Sequence, residues 1–259
     1  MKNDFLEVTE LSGDYVAQEQ VERLCNRYSW AGTYCAGKDV VELACGTGQG
    51  LGYLNSLSKS FIAGDISPPM VERAQSHYKS RIDIRQMDAQ DTALPDSSCD
   101  VVILFEAIYY LPEVEKFIRE CRRILRPAGH VLIATANKDL YDFNPSPHSF
   151  VYLGVVEMDT IFQSNGFRCE FFGGTPIGAS TLRQRIFRPI KAMASRFHMI
   201  PNTMAAKKIL KRFVFGRLVS MPPEMTMGLT TEETPETLSA DTANTSHKVL
   251  YCAATKLEG

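Results

Sequence analysis

The sequence predicts an α/β fold in which a mostly parallel sheet is covered by helices on both faces. Three observations predict it: short apolar segments alternate with segments of helical spacing, the connections between them are short, and a Gly-rich turn follows the first apolar strand. The strands are expected near residues 40–44, 60–64, 81–87, 99–105, 129–136, 167–172 and 248–255. These segments predict a seven-stranded sheet.

Helices are expected between these strands. Residues 15–36 carry apolar side chains at roughly helical spacing, which predicts an amphipathic helix before the first strand. Another helix follows the Gly-rich turn, and a third opens at Ser67, because Pro68 suits the first turn of a helix. Two further helices are expected near residues 112–125 and 155–165.

The chain divides into four predicted parts. Residues 1–36 form an N-terminal helical segment and residues 37–175 form a ligand-binding core. Residues 176–247 form a basic helical insertion followed by an acidic, Thr-rich loop, and residues 248–259 form the final core strand. At 259 residues the chain is near the upper limit of one hydrophobic core, which favours one domain with an insertion.

The composition restricts the expected partners and the compartment. A net charge of -2 gives no overall field that would attract nucleic acid. The seven cysteines are widely spread and form no C-x-x-C pair, so the sequence predicts neither a disulfide frame nor a metal site. The acidic N-terminus lacks the pattern of a secretory signal, and no apolar run approaches membrane-spanning length. We therefore expect a cytoplasmic protein.

The strongest functional signal is the segment VVELACGTGQG. Its strand carries Glu42, and the following Gly46, Gly48 and Gly50 allow the tight turn and the close ligand approach that a cofactor needs. A nicotinamide-binding turn reads G-x-G-x-x-G, and its third small residue would fall on Leu51, so the register disfavours a dehydrogenase. A phosphate-binding G-x-x-x-x-G-K-[ST] loop does not occur in the sequence.

The pattern Glu42-x-x-x-Gly46-x-Gly48-x-Gly50 resembles the first motif of class I S-adenosylmethionine-dependent methyltransferases. The resemblance implies their Rossmann-like fold, with a helical insertion before the last strand in this chain. It also implies that the turn holds the methionine part of S-adenosylmethionine, with the acidic residue near its amino group. The family usually has Gly where this chain has Ala44.

Two further acidic residues extend this resemblance. Asp65 ends the next strand in a D-x-S-x-x-M pattern, where a carboxylate can accept two hydrogen bonds from a ribose diol; a helix N-cap is its alternative role. Asp88 matches the position that contacts the adenine amine, and an ordinary turn acid is the alternative. The resemblance covers about residues 38–136 and implies the cofactor-binding set Glu42, Ala44, Cys45, Gly46, Thr47, Gly48, Gly50, Asp65, Ile66, Met70, Asp88, Ala89 and Phe105.

The methyl acceptor is expected beyond the carboxyl ends of the later strands, where ligands of open α/β sheets bind. Glu106 and His148 are the candidate catalytic bases for a hydroxyl acceptor. A surface or structural role is the alternative for His148. Tyr109, Tyr110 and Tyr141 are candidate substrate contacts, and one of the first two is expected in the core because the pair faces two directions.

The loop FNPSPHSFVYLGVVEM and the segment NGFRCEFFGG resemble methyltransferases that modify sugars of bacterial surface glycans. This resemblance implies O-methylation of a sugar or glycan precursor. A lipid, quinone or phenolic acceptor is the alternative within the same chemistry. A non-catalytic adaptor with this fold is the alternative of another class.

A basic stretch lies within the insertion. Residues 171–223 contain no Asp or Glu, and ten Arg or Lys residues lie between positions 183 and 217. The stretch predicts contact with a phosphate of the acceptor, or peripheral contact with an anionic membrane surface. Neutralisation by the acidic stretch that follows is the alternative. Nucleic acid is disfavoured because no RNA-binding module accompanies the basic residues.

Overall fold

The computed structural model describes residues 11–177, 218–226, 228–231 and 233–258. Its helices in these ranges are α1 (Gln18–Cys35), α2 (Leu51–Leu57), α3 (Pro68–Tyr78), α4 (Val114–Ile124) and α5 (Val155–Ser164). Its strands are β1 (Tyr15–Ala17), β2 (Asp39–Leu43), β3 (Ser60–Asp65), β4 (Asp83–Gln86), β5 (Cys99–Phe105), β6 (Leu125–Ala136), β7 (Phe167–Pro176), β8 (Leu218–Ser220), β9 (Glu236–Leu238) and β10 (His247–Lys256). The basic stretch 183–217, with its predicted phosphate or membrane contact, lies outside the described residues.

The central sheet has the strand order β4-β3-β2-β5-β6-β10-β7-β9. The first five strands are parallel to one another, and β10 lies antiparallel between β6 and β7. The predicted α/β class with a mostly parallel sheet is therefore confirmed. The carboxyl ends of the parallel strands meet at one edge of this sheet, which is the edge where ligands bind in open α/β folds.

The sheet has one strand more than the seven predicted. This strand, β9, lies in the segment that we interpreted as an acidic loop and pairs antiparallel with residues 171–173 of β7. Its sequence ETL has no strand pattern of its own, but the edge of β7 offers unpaired backbone groups that hold it. His247 supports the pairing, since its Nε2 lies 3.1 Å from Oε2 of Glu236. Separately, β1 and β8 form a small antiparallel sheet.

Alternate residues of the central strands pack on opposite faces of the sheet. Val40 of β2 packs into the core formed with α1, α2 and α3, whereas Val41 and Leu43 pack into the core formed with α4 and α5. Successive side chains of a strand point to opposite faces, and a strand that is buried on both faces is mostly apolar. β5 is apolar except for Asp100 and β2 is apolar except for Asp39 and Glu42, which explains the helices on both sides.

Helix α1 is held by a hydrogen bond at its start and by an aromatic contact in its second half. Near its start, Gln20 Oε1 accepts the backbone N–H of Ala17 at 2.8 Å, which satisfies one of the unpaired donors at a helix N-terminus. Near its end, Trp30 stacks on Tyr251 of β10 with ring centroids 4.9 Å apart. None of the helices in the described ranges combines the length and the apolar character needed to cross a membrane.

Candidate functional site

The Gly-rich turn after β2 has the backbone conformation that its glycines predict. Gly46 and Gly48 have φ angles of 58° and 87°, in the left-handed region that glycine adopts at little cost. Ala44 has a φ of 54°, which strains a residue with a Cβ by about 1 kcal/mol and explains why glycine suits this position. The hydroxyl of Tyr78 donates to the carbonyl oxygen of Gly48 at 2.7 Å and so holds the turn against α3.

The carboxylate of Asp65 joins the ends of β2 and β3. Its Oδ2 accepts the N–H of Gly46 at 2.9 Å, and its Oδ1 accepts the N–H of Ser67 at 2.8 Å. Burial raises the pKa of Asp65, and these two hydrogen bonds oppose the shift. The N-cap of α3 is Ser67, not Asp65. Each carboxylate oxygen has a second lone pair, so Asp65 can still accept hydrogen bonds from a ligand.

Glu42 is a buried carboxylate at the back of the turn. Its Oε1 accepts a hydrogen bond of 2.6 Å from the hydroxyl of Tyr28, whereas its Oε2 is buried and has no hydrogen-bond partner among the described residues. Burial raises the pKa of Glu42 to about 7, although Tyr28 and the nearby charge of Arg27 act in the opposite direction. A buried acceptor without a partner is unfavourable, and the amino group of a ligand would satisfy it.

Tyr28 reaches Glu42 by crossing the turn at Gly50. A Cβ at Gly50 would lie 2.1 Å from the ring of Tyr28, so this position needs glycine for close approach rather than for its backbone angle. Helix α1 therefore contributes directly to the position of the acidic residue.

We expect Glu42→Gln to stabilise the ligand-free protein at alkaline pH. The folded-state pKa of about 7 lies above the usual value of 4.5, so the folded state holds the proton more tightly and stability is lost as pH rises from 4.5 through 7. The variant, which cannot ionise, should gain about 3 kcal/mol in free energy of unfolding at pH 8 and less than about 1 kcal/mol at pH 5.

Urea unfolding of both proteins at the two pH values measures this difference. Glu72→Gln, a change at an exposed carboxylate of α3, is the matched control. A gain for Glu42→Gln that is the same at pH 5 and pH 8 would contradict the raised pKa.

One cavity of about 690 Å³ lies at this edge of the sheet, a volume typical of small-molecule sites. The predicted cofactor residues that line it are Glu42, Ala44, Cys45, Gly46, Asp65, Ile66, Met70, Asp88, Ala89 and Phe105. Thr47, Gly48 and Gly50 belong to the same turn but are not among the lining residues. Asp88 also has the turn role that was its alternative, because its Oδ1 accepts the N–H of Gln90 at 2.8 Å.

The predicted acceptor residues at the end of β5 line the same cavity. Oε2 of Glu106 accepts a hydrogen bond from the hydroxyl of Tyr109 at 3.2 Å, and Oε1 lies 3.5 Å from Nη1 of Arg27. Glu106 has a φ of 51°, a strained conformation that is typical of functional sites. Tyr109 is buried and stacks on Tyr152 at 4.3 Å between ring centroids, whereas Tyr110 is half-buried and bonds Ser146.

The structure does not bring His148 and Tyr141 to the cavity. Neither is among its lining residues; Tyr141 is 65% exposed and His148 is half-buried in the loop that follows β6. Phe150 lies at the cavity wall instead, because its N–H donates to the carbonyl oxygen of Tyr109 at 2.8 Å. Of the two predicted bases, the geometry favours Glu106.

Several cavity residues were missed from the sequence, and two groups of them come from segments that were not expected at the site. Arg23, Arg27 and Tyr28 reach the cavity from α1, and Met221 reaches it from the segment after the insertion. The spacing of Arg23 and Arg27, one helical turn apart beside an apolar face, was a usable signal. No sequence pattern indicates Met221, whose position depends on backbone hydrogen bonds with Gly13 and Asp14.

The segment 218–226 lies against the Gly-rich turn. The N–H of Met225 donates to the carbonyl oxygen of Gln49 at 2.6 Å. Oε2 of Glu224 lies 2.9 Å from Nε2 of His77 of α3 and forms an ion pair of 2.9 Å with Arg81, which follows α3. Glu224 was expected within the acidic stretch that could neutralise the basic residues of the insertion. The structure shows it in contact with His77 of α3 and with Arg81 beyond that helix.

Comparisons with known proteins identify relatives that are methyltransferases. A family model described as a methyltransferase domain matches residues 41–133. A "Probable S-adenosylmethionine-dependent methyltransferase" of Mycolicibacterium smegmatis is 33% identical over 140 residues, which are 52% of this chain and 54% of that protein. A fatty-acid O-methyltransferase of the same species is 31% identical over 103 residues, which are 39% of this chain and 38% of that protein. The chain thus spans about half the length of the first of these relatives, and less of the second.

Solved structures show the same fold. A methyltransferase from Thermotoga maritima, described as S-adenosylmethionine-dependent, has a TM-score of 0.57 with 13% identity, and the match covers 92% of both chains. A likeness at this identity shows the fold alone. It confirms the predicted Rossmann-like class I methyltransferase fold.

Proposed function

We propose that this chain is a class I S-adenosylmethionine-dependent methyltransferase that transfers a methyl group from S-adenosylmethionine to a hydroxyl group of a small-molecule acceptor. The match of residues 41–133 to a methyltransferase domain supports this proposal. The observation that carries the proposal is the unpartnered Oε2 of Glu42, beside the Gly-rich turn and in one cavity with Asp65. Glu42 offers a hydrogen-bond acceptor for the amino group in the methionine part of the donor. Asp65 offers a carboxylate for the ribose in its nucleoside part.

The residues around the cavity fit the parts of the methyl donor. Glu42 would hold its amino group and Asp65 its ribose hydroxyls. Ile66 and Met70 supply apolar walls for the adenine, with Asp88 beside them. The sulfonium of the donor supplies a methyl group that is already activated for displacement. The protein is then required to align the acceptor and to exclude water.

Glu106 is the proposed catalytic base. An alcohol must lose its proton as the new bond forms, and a carboxylate within reach can accept that proton. The Tyr109 hydroxyl and the guanidinium of Arg27 hold the two oxygens of Glu106 from different sides. The carboxylate is therefore oriented before an acceptor arrives.

A hydroxyl of a sugar or glycan precursor is the proposed acceptor. Tyr110 and Phe150 offer aromatic surfaces at the cavity, and Glu106 and Gln90 offer polar groups beside them. Aromatic rings next to hydrogen-bonding groups suit a sugar ring, which has apolar faces and polar edges. A lipid acceptor is the second candidate, which the similarity to a fatty-acid O-methyltransferase favours.

Calorimetry of the purified protein tests the first part of this proposal. S-adenosylmethionine should give saturable heat with one site per chain, and NAD should give none, because the third glycine of its turn is replaced by Leu51. Protein that binds no S-adenosylmethionine would overturn the proposed function and favour the adaptor.

A transfer assay tests the acceptor. Methyl-labelled donor is incubated with nucleotide sugars, free fatty acids and simple phenols in parallel. Saturable labelling of a nucleotide sugar supports the glycan proposal. Labelling of the fatty acid alone supports a lipid acceptor, and labelling of the phenol alone supports a phenolic acceptor.

A further inference from the structure

Segment 218–226 has two anchors beside the cavity. The first is at its start, where β8 pairs with β1 and the N–H of Met221 donates to the carbonyl oxygen of Asp14 at 2.8 Å. The second is at its end, where the N–H of Met225 donates to the carbonyl oxygen of Gln49 in the Gly-rich turn at 2.6 Å. Met221 and Gln49 both line the cavity, so each anchor includes a residue of the site.

Glu224 connects the second anchor to the end of α3. Its Oε1 lies 3.4 Å from Nη1 of Arg81, and its Oε2 lies 2.9 Å from Nη2 of the same guanidinium. Oε2 also lies 2.9 Å from Nε2 of His77. The hydrogen bond from Arg81 holds the pKa of Glu224 below its usual value, so the carboxylate is charged at neutral pH. A carboxylate that faces a guanidinium with both oxygens is fixed in orientation as well as attracted.

The end of α3 also holds the Gly-rich turn directly. Tyr78, the last residue of α3, donates its hydroxyl to the carbonyl oxygen of Gly48 at 2.7 Å. The guanidinium of Arg81 lies over the ring of Tyr78, 4.8 Å from its centroid. A closed circuit of contacts therefore runs from the turn to segment 218–226, through Glu224 to Arg81, and back to the turn through Tyr78.

The neighbouring sequence makes room for the carboxylate and restricts the segment that carries it. A Cβ at Gly52 of α2 would lie 1.8 Å from Oε1 of Glu224, so glycine is needed there for close approach. Pro222 and Pro223 lie between the two anchors, and proline limits the backbone to a narrow range of φ. The position of Glu224 therefore constrains where Met225 can bond to the turn.

We propose that Glu224 is a positioning residue for the methyl-donor site. It fastens the end of segment 218–226 to Arg81 and His77, and the segment in turn holds the carbonyl group of Gln49. The Gly-rich turn thereby keeps the shape that the donor requires. Glu224 does not line the cavity, so it acts through the turn and not by contact with the donor. This inference rests on the proposed function, because it takes the turn as the binding site of S-adenosylmethionine.

Calorimetry of the full chain with S-adenosylhomocysteine tests the inference. Glu224→Gln keeps the size of the side chain but removes its charge, and it should weaken binding about fivefold, at the lower end of couplings between sites. The matched control is Asp83→Asn, which breaks the exposed ion pair with Arg85 on β4. It should leave the affinity unchanged.

Hydrogen exchange resolved to single residues separates this role from a general loss of stability. In ligand-free Glu224→Gln, the N–H of Met225 should exchange about tenfold faster than in wild type, because local opening becomes easier. The N–H of Met221 should keep its rate, since the first anchor is intact. Coupling between two sites is reciprocal, so S-adenosylhomocysteine should slow exchange at Met225 in wild type.

A double-mutant cycle shows whether Glu224 acts through Arg81. Arg81→Gln alone should weaken binding of S-adenosylhomocysteine about threefold, and the double variant should bind about as weakly as Glu224→Gln alone, because both changes break one contact. Gly52→Ala keeps both charges but displaces the carboxylate, and it should weaken binding as well. Losses that multiply in the double variant would contradict the joint role of Glu224 and Arg81.

Three further outcomes would overturn the inference, and one of them reaches further. If wild type binds S-adenosylhomocysteine and Glu224→Gln binds it equally well, the positioning role is excluded while the proposed function stands. Equal acceleration of exchange at Met221 and Met225 would leave Glu224 with a general structural role only. Failure of wild type to bind S-adenosylhomocysteine would contradict the proposed function, and this inference with it.

Discussion

Replacing Glu106 by Gln should lower kcat for a hydroxyl acceptor about 100- to 10,000-fold, the usual contribution of a positioned general base. The amide cannot accept the proton, but it keeps the size of the side chain and an oxygen for the hydroxyl of Tyr109. Affinity for the methyl donor should stay within about twofold, because the carboxylates proposed to bind the donor, Glu42, Asp65 and Asp88, lie on β2, on β3 and after β4. Single-turnover transfer with labelled donor measures the chemical step.

Two controls sharpen this prediction. Glu115→Gln removes a carboxylate from the exposed face of α4 and should leave kcat unchanged. His148→Ala should also leave kcat within about twofold, since His148 does not line the cavity. A full rate in Glu106→Gln would show that alignment alone suffices, or that the methylated oxygen belongs to a carboxylate, which has no proton to lose.

Replacing Asp65 by Ala should weaken binding of S-adenosylmethionine about 5- to 150-fold and also destabilise the protein. The loss of hydrogen bonds to the ribose accounts for about 1–3 kcal/mol of binding free energy. The substitution also leaves the N–H groups of Gly46 and Ser67 without their acceptor, so the turn itself loses its connection to β3. Calorimetry with the donor and urea unfolding of the free protein measure the two effects.

The side chain of Asp65 can be tested against a nearby acid of the same type. Asp91→Ala removes an exposed carboxylate from the loop after β4 and should change neither quantity. An Asp65→Ala protein that binds the donor with unchanged affinity would remove Asp65 from the cofactor site. If the free energy of unfolding also stayed the same, the hydrogen bonds from the N–H groups of Gly46 and Ser67 would make no measurable contribution to stability.

The parts of the site that were predictable depend on short-range patterns. The turn from Ala44 to Gly50 was predictable because glycines at this spacing indicate a tight turn. Gly46 and Gly48 have the expected positive φ. Asp65 was predictable because a carboxylate at the end of a parallel strand must lie at the ligand-binding edge. Both arguments need only the residues within one strand and its following turn.

The other parts depend on contacts between distant segments. β9 is a strand only because β7 leaves an open edge beside it, and its own sequence has no strand pattern. His148 and Phe150 are two positions apart, and the hydrogen bond from Phe150 to Tyr109 decides which of them reaches the cavity wall. No pattern within the loop could have made that choice.

The α/β class, the Gly-rich turn and the acidic residues on β2 and β3 follow from local patterns, because strand period and glycine spacing act over a few residues. The contacts of Tyr28 with Glu42, of Arg27 with Glu106, and of Arg23 and Lys248 with Glu19 depend on how distant segments pack. Each of these pairs joins α1 to a strand end or to the turn beyond it, and the side chains meet because the helix packs across the carboxyl edge of the sheet.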